Sequence, residues 1–169
     1  MDAIHRGEDD DLLIRADKTA NTAGASMLGL SVGDLKRHLG TLSEDIAGGT
    51  IGVLLVLGDT FSADAAATLR AARGKVHTAV FSPFADGPAR EADRTIPTAA
   101  YGEFAGTWVN FQGRAQQVRR AVEPAGVALE IWYALAELMR RMGAEPGYAS
   151  AADVLSDVIS KFPKIRVTA

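Results

Sequence analysis

The amino-acid sequence predicts an α/β fold in which a parallel sheet is flanked by helices and an extended arm covers residues 99–122. Three observations predict it. Residues 51–57, I-G-V-L-L-V-L, are apolar at almost every position, the pattern of a parallel strand covered on both faces. An alanine-rich helical stretch and a second apolar run, residues 75–81, follow it and complete a β-α-β unit. Beyond Pro97 the chain becomes polar and alternating, with Gly102, Gly106 and Gly113 placed as bends or close approaches.

Taken in order, residues 1–10 read as a flexible leader, residues 11–145 as the α/β domain and residues 146–169 as a C-terminal helix and tail. Residues 12–16, L-L-I-R-A, read as a short buried strand and A-N-T-A-G-A-S as a loop of small residues. Ser31 is expected to cap a helix that carries Asp34 near its positive end and stops at Gly40. A separate turn over 43–47 then runs into Gly48-Gly49. Gly58-Asp59-Thr60 closes the first strong strand, and Ser62 caps the helix over 63–72, with Asp64 in its first turn. The strand over 75–81, a loop, a short helix over 88–92 and a strand at Thr95-Ile96 follow, ended by Pro97, which has no N–H to donate. Within residues 107–112 the two-residue period sends Trp108 and Asn110 one way and Val109 and Phe111 the other. A helix over 127–142 places Ile131, Leu135, Leu138 and Met142 on one stripe, with Gly143 past its end. A last helix over 150–161 repeats the pattern with Val154, Leu155, Val158, Ile159 and Phe162.

The balance of 47% hydrophobic and 23% charged residues over 169 positions is that of a globular domain with a real core. A net charge of −3 gives no general pull toward nucleic acid. The sequence has no cysteine, which excludes disulfides, thiolate zinc and cysteine-ligated iron–sulfur clusters in this chain. It fits a cytoplasmic setting. No apolar run reaches membrane-span length, so no direct membrane insertion is expected. The acidic N-terminus does not read as a secretory signal.

The run I-P-T-A-A-Y-G-E, then G-T-W-V-N-F-Q-G-R-A-Q-Q, then A-V-E-P-A-G, resembles a late segment of the molybdopterin oxidoreductase superfamily. It is most similar to the version in the large iron–sulfur (G) subunit of NADH–quinone oxidoreductase, respiratory complex I. The likeness reaches back to Ala20-Asn21-Thr22-Ala23-Gly24-Ala25 and forward to Gly143. It implies a Rossmann-like half of the molybdopterin oxidoreductase fold. It also implies a structural or accessory part of the complex I peripheral arm, not itself redox-active. Other peripheral-arm subunits would be the partners and would carry the iron–sulfur clusters and FMN. The chain would then be peripherally associated with the inner membrane through them. The cluster domains and the other pterin-fold half have no counterpart here, which implies that the chain does not carry electrons itself; the closing double-barrel domain has none either, which favours the complex I branch. Under the alternative, the chain is the pterin-nucleotide-binding part of a molybdenum or tungsten oxidoreductase such as a formate dehydrogenase, and molybdopterin is its cofactor. A third reading is a stand-alone small-ligand-binding module.

Gly58-Asp59-Thr60 lies at the carboxyl end of a strand, where open α/β sheets hold ligands. With one glycine and an aspartate it is also an ordinary strand-to-helix turn. Pro97, Glu103, Gly106, Thr107, Asn110, Gly113, Arg114 and Gln116 form the recognised motif. The resemblance implies that the matching loop lies near the pterin in cofactor-bearing relatives. Chemically, the Asn110 amide could pair with a ring edge and Arg114 could fork onto phosphate. The same residues could instead form an internal network, with Glu103 holding Arg114 or backbone amides. Scattered histidines His5, His38 and His77 have no metal-site spacing, and no catalytic residue or metal site is expected. His77 is expected to be half-buried. Trp132 is expected in the core or facing a partner, and Trp108 in the arm.

Overall fold

The computed structural model describes residues 8–12, 20–30 and 34–162, and the backbone of 166–167. All but Leu12 of the strand expected over 12–16, the Ser31 cap and most of the expected leader lie outside the described residues. The first sheet is parallel, in the order β1 (Val53–Leu57), β2 (His77–Ser82), β3 (Arg94–Pro97). Between β1 and β2 runs α3 (Ala63–Ala72), which starts where the Ser62 hydroxyl accepts from Ala65 N–H at 3.2 Å. A 3-10 turn, Gly87–Glu91, leads into β3.

Helix α2 (Leu35–Ala47) is one continuous helix through Gly40, not a helix and a separate turn. Its cap is Asp34, whose carboxylate accepts from Arg37 N–H at 3.0 Å. A single glycine weakens a helix by about 1 kcal/mol, too little to stop one whose apolar face is packed. That packing joins Ile46 to Ala72 and Val76, with Leu42, Ile51 and Leu54 against them.

Leu54 faces these helices, and its neighbours Val53, Leu55 and Leu57 face the other way, 59%, 45% and 52% exposed. The expectation that this run is buried on both faces therefore fails. Among the described residues β1 is an edge strand, and β2 is the strand that is enclosed, with Thr78, Val80, Phe81 and Ser82 all buried. Periodicity shows that a strand can be buried on both faces, not that chain exists to bury it. β2 opens with His77, which is exposed rather than half-buried. A polar clamp sets the β2–β3 edge. The Asp93 carboxylate accepts from Thr78 N–H at 2.8 Å and Thr78 O–H at 2.9 Å, while Asp93 N–H donates to Thr78 Oγ1 at 2.9 Å. These bonds from the Thr78 amide and hydroxyl hold the Asp93 carboxyl below the usual carboxylate range.

The arm folds back on itself. β4 (Gly106–Val109) pairs antiparallel with β5 (Arg114–Val118), and β6 (Arg166–Val167) adds parallel to the far edge of β5. The strand expected to reach residue 112 stops at Val109, because Asn110 Oδ1 accepts from Gln112 N–H (3.0 Å) and Arg114 N–H (2.9 Å) and closes a turn. Gly113 completes it at φ 79°, and Phe111, expected on the same side as Val109, is 67% exposed while Val109 is buried.

Buried Val109 and Ala115 anchor the second core, against Ala23, Met27 and Leu28 on one side and Val158 and Phe162 on the other. The first group comes from α1 (Thr22–Met27), a helix where a loop was expected, and the residue just after it. The second comes from α5 (Ala151–Lys161) and its C-terminal flank. A capping box starts α5: Ser150 Oγ accepts from Asp153 N–H, and the Asp153 carboxylate accepts from Ser150 N–H at 2.8 Å. Helix α4 (Ile131–Arg141) begins four residues later than expected and ends close to it. Its buried side chains are Ala134 and Ala136, while Ile131 and Met142, at the two ends of the expected apolar stripe, are exposed.

Candidate functional site

A cavity of about 430 Å³ opens at the carboxyl ends of the parallel strands. Gly58, Phe81 with Pro83, and Thr98 bring in β1, β2 and β3 respectively, and β4 forms a second wall through Gly106, Thr107, Trp108 and Val109. Phe104, Trp132 and the α5 residues Val154, Leu155 and Val158 make most of the remainder apolar. This volume is in the range of small-ligand sites, roughly 300–1,000 Å³.

The polar groups at its walls are few. Glu130 is the one ionisable lining residue among those described, and its carboxylate is already engaged. Trp132 Nε1–H donates to it at 2.6 Å, and Arg120 Nη1 stands 3.9 Å away. Asn21 is engaged too: its Oδ1 accepts from Val109 N–H at 2.7 Å, across 88 residues of sequence. Aromatic contacts brace the rim, with Tyr101 and Trp108 ring centres 5.6 Å apart and Trp132 edge-on to Tyr133 at 5.7 Å.

The structure brings only part of the expected site together. Gly58, Gly106 and Thr107 line the cavity. Asp59 and Thr60 do not; the Thr60 hydroxyl turns back onto the Asp59 carboxylate at 3.2 Å. Asn110 spends its amide oxygen on its own turn, and Arg114 and Gln116 are exposed on β5, away from the lining. Pro97 ends β3, and its carbonyl accepts from Leu129 N–H at 3.2 Å. Glu103 holds the Ala100 amide at 2.8 Å, a backbone partner and not Arg114. Sequence reasoning missed Asn21, Phe81 and Glu130 as wall residues. For Asn21 a signal was present in Asn21-x-x-Gly24, since Asn tolerates the left-handed backbone (φ 64°) and a Cβ at Gly24 would collide with its amide oxygen.

Near the cavity's α5 wall, Tyr148 O–H donates to Asp157 at 2.6 Å and Lys161 Nζ lies 2.8 Å from the same oxygen. The hydrogen bonds from Lys161 and then Tyr148 hold Asp157 below the usual carboxylate range; the bond to Asp157 pushes the Tyr148 phenol up.

A parallel α/β sheet with a cavity at its carboxyl edge defines the general class, an open-sheet domain of the ligand-holding kind. The family follows from comparison: the molybdopterin oxidoreductase model matches residues 10–141, and the chain belongs to that family. It is 28% identical over 139 residues to the F420-dependent formate dehydrogenase 2 subunit alpha of Methanococcus maripaludis, covering 78% of this chain and 21% of that protein. It is 31% identical over 130 residues to the NADPH-Fe(3+) oxidoreductase subunit alpha of Geobacter sulfurreducens, covering 75% and 15%. A shorter match, 42% over 57 residues, is to the mitochondrial NADH-ubiquinone oxidoreductase 78 kDa subunit of Candida albicans, covering 34% and 8%. The chain thus spans about a fifth or less of the length of these relatives.

The family implies a molybdopterin dinucleotide, and the cavity residues fit it only in part. Aromatic walls suit a flat ring. A pyrophosphate needs cations or a run of backbone amides, and among the described residues no arginine or lysine lines the cavity while Glu130, which does, is acidic. Among the described residues no helix is long and apolar enough to cross a membrane.

Proposed function

We propose that this chain is a structural, accessory part of the peripheral arm of an NADH–quinone oxidoreductase, itself without a redox centre, working beside subunits that carry iron–sulfur clusters and flavin. The observation that carries this reading is the character of the cavity. Apolar and aromatic side chains wall it, and among the described residues its one carboxylate is engaged by Trp132 and Arg120 and no cationic side chain lines it to neutralise a phosphate. Absence of cysteine removes the usual means of holding a cluster in this chain. The 42% identity to the 78 kDa subunit supports the complex I branch. Association with the inner membrane would be through those partners. Deleting the chain should abolish assembly of the arm, seen on native gels stained for NADH oxidation. A fully assembled, active arm without it would refute the reading.

A second reading has its own support. The matches to the formate dehydrogenase and Fe(3+) oxidoreductase alpha subunits run over three quarters of the chain. The cavity also lies where a ring could stack between Trp108, Phe81 and Phe104. On this reading the chain supplies one wall of a pterin nucleotide site, and a neighbouring segment supplies the cations.

A further inference from the structure

We propose that the cavity is a binding site for a flat, uncharged cyclic diketone, a fused-ring molecule with carbonyl oxygens on opposite edges and no phosphate. The hydrogen-bonding groups of the lining carry this inference. Thr98, just past β3, is 4% exposed; its N–H donates to the Ser82 carbonyl at 3.1 Å, but its hydroxyl meets no partner among the described residues. Among those residues no sealed side-chain polar atom lacks a partner, so this hydroxyl reaches open space, and the space that Thr98 lines is the cavity. A hydroxyl so placed gains most from an acceptor brought in by a ligand. On the second wall, Asn21 is fixed in orientation: its amide oxygen takes Val109 N–H at 2.7 Å, which leaves its NH2 group spare. The Thr107 hydroxyl in the same wall has no partner among the described residues either.

The spare groups can all donate, and they stand on two walls, so they select a ligand with acceptors on opposite edges. Charge then selects among acceptors. Glu130 already accepts from Trp132 Nε1–H at 2.6 Å, with Arg120 3.9 Å away, so it needs no donor from a ligand and repels an anion. Among the described residues no arginine or lysine lines the cavity to offset that repulsion. Phosphate and carboxylate are disfavoured as the acceptor, and a neutral carbonyl meets every requirement. The ring faces lie against Trp108 and Phe104. A volume of about 430 Å³ has room for fused rings. This inference goes beyond the accessory role and does not rest on it, since failure to bind such a molecule would leave the outcome of the deletion experiment unchanged.

The test is calorimetry on the full chain with three probes of similar size: naphthoquinone, naphthalene, which has no carbonyls, and naphthyl phosphate, which is anionic. The chain has no cysteine for naphthoquinone to add to. Naphthoquinone should bind saturably and at least about tenfold tighter than either of the others. Thr98→Val keeps the shape and removes the hydroxyl. It should weaken naphthoquinone about tenfold, leave naphthalene unchanged, and hold or raise the unfolding midpoint, because no hydrogen bond within the protein is lost. Phe104→Ala should weaken naphthoquinone and naphthalene alike, which locates both in the cavity. Absence of naphthoquinone binding overturns the proposal, as does equal affinity for naphthalene. Tighter binding of naphthyl phosphate, or of free pterin, overturns it too. So does a Thr98→Val chain that binds naphthoquinone undiminished, or one whose midpoint falls, since the hydroxyl would then serve the fold.

Discussion

Asn21 ties the first described helix to the hairpin, and its replacement should be among the more costly polar substitutions in the chain. Its amide oxygen is the acceptor for Val109 N–H, and Val109 is only 5% exposed. Asn21→Ala removes the acceptor and leaves that amide buried without a partner, which costs about 1–3 kcal/mol. It also places alanine at φ 64°, where residues other than Gly, Asn and Asp lose about 1–2 kcal/mol. The sum, about 2–5 kcal/mol, is a large fraction of a domain's stability, typically about 5–15 kcal/mol. Asn21→Asp keeps the acceptor and the backbone preference and should lose well under half as much. The assay is urea unfolding followed by far-ultraviolet circular dichroism and by tryptophan fluorescence, since Trp108 adjoins Val109. An Asn21→Ala midpoint equal to that of the parent would refute the reasoning, as would equal losses for the alanine and aspartate variants.

Phe81→Ala, at a side chain only 1% exposed, should cost about 3–5 kcal/mol in the same assay, and a loss below 1 would contradict its place in the core. Ser150→Ala breaks the α5 capping box and should cost about 1 kcal/mol; no change in midpoint would argue against the cap. The folded-state pKa of Asp93 is depressed, so the unfolded chain binds the proton more readily. The resulting stability is present above the ordinary carboxylate value, about 3.9, and is lost as pH falls below it. Asp93→Asn should therefore flatten the acid limb of a stability–pH curve, and an unchanged limb would count against the Thr78 clamp. Tyr148, raised by its bond to Asp157, should ionise above an ordinary tyrosine. Ultraviolet titration, differenced against Tyr148→Phe, should show this, and Asp157→Asn should return the phenol toward its usual value.

The first sheet was legible where local chemistry decides the outcome. Ser62 capping the 63–72 helix and the apolar runs of β1 and β2 read directly, because a cap and a strand are local events. Less legible were features set by distant partners. Asn21-Thr22-Ala23-Gly24 read as a loop because small polar residues favour turns, yet the bond to Val109, 88 residues away, organises it as a helix entry. Gly40 read as a stop, but the packing of Leu42 and Ile46 outweighs one glycine. Alternation put Phe111 on the same side as Val109 because it assumed that the strand continued, whereas Asn110 turns its side chain onto its own backbone. Among candidate site residues, Gly58 was findable from its place at a strand end. Glu130 and Phe81 reach the cavity only through tertiary assembly, and Arg114, chosen for its chemistry, points elsewhere.

The central claim is that this member of the molybdopterin oxidoreductase family serves an oxidoreductase assembly as scaffold. Its most direct test is to tag the native chain, isolate what it is bound to, and measure metals, flavin and subunits together. The account predicts iron–sulfur and flavin subunits in fixed ratio to the chain, with neither molybdenum nor tungsten. Either metal present at one equivalent per chain, with a pterin nucleotide, would contradict it.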